Sequence, residues 1–119
     1  MRPQVKKFKA AAIHACQLKS FPFARFMGEF GLEAILLDAE EKAYSPLELA
    51  AHVLAECCVE AGRFNNFEVG FLTVVKFLSD QYGEPRIGQR QMFRDLLAIL
   101  NTGGALEAIM GWMTTHYGQ

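Results

Sequence analysis

Residues 67–82 read FEVGFLTVVKFLSDQY, and the periodicity of this stretch decides the fold class. Phe67, Phe71, Val74, Phe77, Leu78 and Tyr82 recur at three- and four-residue steps, which on a helix makes one broad apolar stripe. Glu68, Thr73, Lys76, Ser79 and Asp80 fall opposite it. Asn65 or Asn66 is placed to cap the start, and Gly83 followed by Pro85 to stop the end. A helix with this many large side chains is stable only when other helices cover it. The stretch therefore predicts the central helix of a small bundle.

On the C-terminal side, residues 89–100 point Met92, Phe93, Leu96, Leu97, Ile99 and Leu100 inward and Arg90, Gln91, Arg94 and Asp95 outward. The NTGG turn at 101–104 leads to a last helix at 105–117 that buries Leu106, Ile109, Trp112 and Met113. On the N-terminal side, Ser45, Pro46, Leu47 and Glu48 form the clearest local signal in the chain. Ser45 as N-cap, Pro46 at the first helical position and Glu48 two positions on make a capping box, in which each polar side chain satisfies a backbone donor left free at a helix start. That helix runs to about Ala61, with Gly62 as its stop. Leu47, Ala50, Ala51, Leu54, Cys57, Cys58 and Ala61 form its inner face, and Leu49 and Val59 lie among Glu48, His52, Glu56 and Glu60 on the outer face.

Residues 32–43, LEAILLDAEEKA, are mostly strong helix formers, so helix is favoured, with a minor hairpin at 34–43 as the alternative. Before them, SFPFARFMGEFG (20–31) carries Ser20 as N-cap, an early Pro22 and Gly31 as stop. Phe23, Phe26, Met27 and Phe30 follow the i, i+3, i+4, i+7 spacing of a docking face, which either packs on the core of its own chain or receives another protein. The first helix, 3 to about 19, buries Val5, Phe8, Ala12, Ala15 and Cys16. Ile13 and Leu18 stray from that face. The whole is read as all-α: a single helical domain over 1–119, a small bundle of five or six helices.

Composition narrows the function classes. At 119 residues the chain is long enough for a core without staples. An apolar share of 51% is high for a chain with a wet surface, which points to some apolar surface covered by a partner. No uncharged run reaches the roughly 18 residues of a membrane span. The basic start MRPQVKKFK is followed by too short an apolar core for a signal peptide, and three cysteines, an odd number, suit a reducing compartment; a cytoplasmic protein is expected. The net charge of -1 hides a division: residues 1–30 are basic, with Glu29 their only acid, and residues 31–62 are acidic apart from Lys42. The two stretches attract each other, within one chain or between two.

No chemistry-bearing constellation emerges. Glu48, His52 and Glu56 follow at i+4 steps, but the spacing matches no metal-binding helix motif and no second ligand helix is evident, so no metal, cofactor or catalytic residue is assigned. The last two helices could be drawn as a helix-turn-helix, but residues 105–117 offer no Arg, Lys, Asn or Gln to base edges. An anion surface is left to Lys6 and Lys7 and to Arg86, Arg90 and Arg94 at four-residue steps, with nucleic acid as a less favoured partner.

The favoured expectation is a protein–protein interaction module that forms a homodimer. Its candidate contact residues are Leu49, Val59, Ile13, Leu18, Phe23, Phe26 and Phe30, and Leu49→Glu is expected to yield a folded monomer. A polyanion binder and a pocket protein or enzyme of unknown substrate are the alternatives.

Overall fold

The computed structural model describes residues 2–29, 31–59 and 64–117, with the side chains of residues 58, 59 and 64–66 left out. Seven helices follow one another: α1 (Pro3–Leu18), α2 (Phe23–Glu29), α3 (Leu32–Lys42), α4 (Pro46–Val59), α5 (Phe64–Tyr82), α6 (Gln89–Asn101) and α7 (Leu106–His116), with no strand among the described residues. The expected five or six become seven because the short segment before Gly31 and the segment after it both form helices. Gly31 adopts a left-handed backbone (φ 57°) between them, and the hairpin alternative at 34–43 is replaced by continuous helix.

Helix α5 is the hub. It packs against α1 on one side and α4 on the other, while α4 also touches α3 and α7. On α1, Pro3 sits in the first turn where its missing N–H leaves no bond unmade, and Val5, Phe8, Ala11, Ala12, Ala15 and Cys16 are buried. Phe8 meets Phe77 of α5 edge to face, with centroids 5.4 Å apart. Such a pair adds about 0.5–1.5 kcal/mol beyond the burial of its area. Lys19 reaches Glu68 at 2.6 Å, so the end of α1 lies beside the start of α5 and the two run antiparallel.

The capping box at the start of α4 forms as the sequence requires: the Ser45 N–H donates to Glu48 Oε1 at 3.0 Å, and the Glu48 N–H donates to Ser45 Oγ at 3.1 Å. The backbone hydrogen bond from Ser45, then its side chain, then nearby His52 hold the Glu48 carboxyl below its ordinary range. Because α4 is covered by α3, α5 and α7, its apolar residues point inward nearly all round: Leu49, Ala50, Ala51, Val53, Leu54 and Cys57 are all buried. Leu49, expected on the outer face, has no exposed surface.

Three smaller expectations also change. Thr73 is buried rather than outward, its hydroxyl donating to the Val69 carbonyl at 2.8 Å. Ser20 has a left-handed backbone (φ 52°) in the turn after α1, and the Phe26 N–H bonds to the Pro22 carbonyl, so Ser20 does not cap α2. Helix α5 begins at Phe64, ahead of the expected Asn65 or Asn66 caps, whose side chains lie outside the described residues.

Helix α6 joins the core through Phe93, which contacts Phe71 at 5.0 Å and Phe67 at 5.7 Å between centroids. Helix α7 buries Ile109, Trp112 and Met113, whereas Leu106, expected inside, is exposed.

Candidate docking surface

An open apolar groove lies where α2 meets α3. Both helices belong to the layer built by the first 43 residues, and Arg2 ties that layer together: its N–H donates to Glu40 Oε1 at 2.7 Å and its Nε–H to the Glu40 carbonyl at 2.9 Å. The start of α1 therefore lies beside the end of α3. Gln4 donates to the Tyr44 carbonyl at the same end.

Between α2 and α3 lies an apolar groove of about 600 Å³, lined by Phe23, Ala24, Met27, Gly28, Gly31 and Ala34, with Glu33 as the one charge. Small residues on both helices open it: a side chain added at Gly28 or Gly31 would meet nothing within 4 Å. Leu37 follows Glu33 and Ala34 by one helical turn on α3 and continues the same face. It is 63% exposed.

The docking spacing read in residues 23–30 is thus divided between two roles. Phe26 is fully buried and Met27 nearly so, and Phe26 belongs to the core rather than to an interface. Phe23 is half-buried and lines the groove. Phe30 and the side chain of Val59 lie outside the described residues. Ile13 and Leu18 are exposed at 43% and 63%, and Leu49 is withdrawn from the surface. Leu37 was not singled out by its sequence. The undecided choice between helix and hairpin at 34–43 left its face unassigned, although Leu36 buried beside Leu37 exposed is what a helical reading of that segment requires.

Two polar recesses lie elsewhere. One, of about 190 Å³, is lined by Leu18, Leu72 and Val75 with His14, Lys76 and Asp80 among the polar groups. The other, of about 370 Å³, lies at the end of α5 and α7 and includes Glu84, Arg86, His116 and Tyr117. Tyr117 lies 3.4 Å from Ser79 through their hydroxyls, and burial, with Glu84 nearby, raises its phenol above the ordinary value. His116 is 4.0 Å from Asp95 and packs edge-on against Trp112.

The basic candidates do not converge. Lys6, Lys7, Arg86, Arg90 and Arg94 are all exposed, but Arg86 borders the α5–α7 recess and Arg90 a different recess beside Phe71 and Phe93. The Glu48–His52–Glu56 series does not gather ligands either. The His52 ring stacks on Tyr44 at 4.7 Å, and no group of three His, Cys, Asp or Glu able to hold a metal occurs among the described residues. Burial pushes the Cys16 thiol up to about 11, which makes it a poor nucleophile at neutral pH.

No helix among the described residues is long and apolar enough to cross a membrane. No family model matches the chain, and no curated protein or solved structure does either.

Proposed function

We propose that this chain is a cytoplasmic protein–protein interaction module that self-associates through the layer formed by α1, α2 and α3. The observation that carries the reading is the α2–α3 groove, continued along α3 by an exposed Leu37. A large aliphatic side chain left in water forgoes about 1.5–3 kcal/mol of burial. Of the five large apolar residues exposed in the described chain, Ile13, Leu18 and Leu37 belong to this layer. Leu18 borders the separate recess between α1 and α5; contact between two copies covers the groove, Leu37 and Ile13, and a homodimer is the simplest closed assembly that does so.

Light scattering at tens of micromolar tests the reading: the expected mass is twice 13.3 kDa, and a 13.3 kDa species overturns it. Leu37→Glu, on an exposed site, is expected to give a folded monomer.

A second reading, anion binding by α6, has its own support. Arg90 and Arg94 on α6, and Arg86 just before it, stand at four-residue steps with no carboxylate partner among the described residues; Lys6 and Lys9 on α1 lack one as well. Retention on heparin that is lost in Arg90→Glu/Arg94→Glu, with thermal stability kept, favours it; unchanged retention removes it.

A further inference from the structure

We infer that the partner in the proposed contact is a second copy selected by charge, with the basic face of α1 in one copy lying on the acidic face of α3 in the other. This inference rests on the reading of the α1–α2–α3 layer as a docking surface and adds the residues that choose the partner.

Glu33, Leu37 and Glu41 stand at i, i+4 and i+8 on α3, and all three are exposed. They form an apolar residue flanked on both sides by acids. Neither Glu33 nor Glu41 has an ion-pair partner among the described residues, although Asp38 on the same helix is paired with Lys42. On α1, Lys6, Lys9 and Ile13 stand at i, i+3 and i+7, again with the charges ahead of one exposed apolar residue. Lys6 and Lys9 also lack carboxylate partners among the described residues. The two helices are neighbours in one layer, tied at one end by Arg2 and Glu40, and Lys6, Ile13, Glu33, Leu37 and Glu41 are exposed.

A two-fold axis that lays each α1 antiparallel over the α3 of the other copy brings the two stripes together. This happens twice in one closed contact. The Lys6 end of α1 then meets Glu41, and Ile13 of the second copy arrives at the Glu33 end, beside the groove lined by Phe23, Met27 and Ala34. Opposite charges on the two stripes favour α1 on α3 over α1 on α1 or α3 on α3, the pairings in which like charges meet.

The test uses two variants of the full chain. Lys6→Glu/Lys9→Glu makes α1 acidic and Glu33→Lys/Glu41→Lys makes α3 basic. Each alone then presents like charges to its own copy and is expected to associate at least about tenfold more weakly than the unaltered chain. Mixed in equal amounts, they restore both opposite-charge contacts and should form a heterodimer, resolved by native mass spectrometry at low salt. Raised salt should weaken that heterodimer and relieve the repulsion in each variant alone.

An unaltered chain that is dimeric, with variants that either stay dimeric or fail to pair on mixing, overturns the pairing of α1 with α3 by charge and leaves self-association standing. An unaltered chain that is monomeric overturns the docking reading itself. If circular dichroism shows a double variant unfolded, Lys6→Glu and Glu41→Lys carry the same test. Tight binding of the unaltered chain to an unrelated basic helical peptide, lost in Glu33→Lys/Glu41→Lys and without pairing between the variants, assigns the acidic stripe to a foreign partner instead.

Discussion

The Cys57 side chain occupies the space that a Cβ on Gly70 would fill: a methyl placed there would lie 3.3 Å from Cys57 Cβ and closer still to Sγ. Gly70 is therefore a point of close approach between α4 and α5, in the middle of a helix where glycine is otherwise unfavourable by about 1 kcal/mol.

Gly70→Ala sets two effects of opposite sign against each other. The gain in helix propensity is about 1 kcal/mol, and overpacking a full core costs about 1–3 kcal/mol. Since Cys57 is fully buried, the clash is expected to win by about 1 kcal/mol. In a Cys57→Ala background the same change should be neutral or stabilising. Urea denaturation of the four chains measures the coupling, and additive effects would mean that the two helices are free to separate.

Leu49→Glu places a carboxylate in the space between α4 and its neighbours, so it is expected to unfold the protein rather than release a folded monomer. Leu49→Ala should cost about 2–5 kcal/mol. Circular dichroism and thermal melts separate this from Leu37→Glu, which should melt near the unaltered temperature.

The capping box supplies a pH dependence with a defined sign. The Glu48 carboxyl is held below its ordinary value in the folded state, so its contribution is present above the unfolded value of about 4.3 and is lost as pH falls through the lowered folded value. Ser45→Ala should cost about 1 kcal/mol at neutral pH. The difference between the two chains should shrink on acidification, and Glu48→Gln should flatten that part of the profile.

Cys16 behaves oppositely. Its thiol is raised to about 11 by burial, so the folded state prefers the neutral form: the stabilisation is full below the unfolded value of about 8.5 and is lost as pH rises toward 11. Peptide mapping after iodoacetamide at pH 8 should find Cys16 unmodified in the native protein and modified in urea.

Local chemistry was legible in the sequence where a few neighbouring residues decide it. The Ser45–Glu48 box, Pro3 in a first turn and the stripe of α5 all depend on contacts within one or two helical turns. The face of α4 was not legible, because a helical wheel divides residues into one inner and one outer side, whereas α3, α5 and α7 surround this helix and bury Leu49 from a direction the wheel treats as solvent. The same cause put Thr73 on the wrong side of α5. In residues 23–30 the spacing identified an apolar face but not its partner; Phe26 turns into the core while Phe23 borders the groove. Leu37 stayed hidden because its exposure has meaning only once residues 32–42 are known to be helical.

The antiparallel pairing of α1 with α5 also sets an order of events at the ribosome. The face of α1 carrying Val5, Phe8 and Ala12 has its main cover on a helix that starts at Phe64, so every residue from α2 through α4 must be synthesised first. At about 5–20 residues per second the nascent chain carries that sticky face uncovered for several seconds. Chains stalled ahead of Phe64 should expose Phe8 to proteases and to chaperones that hold apolar segments, and chains released after Tyr82 should protect it.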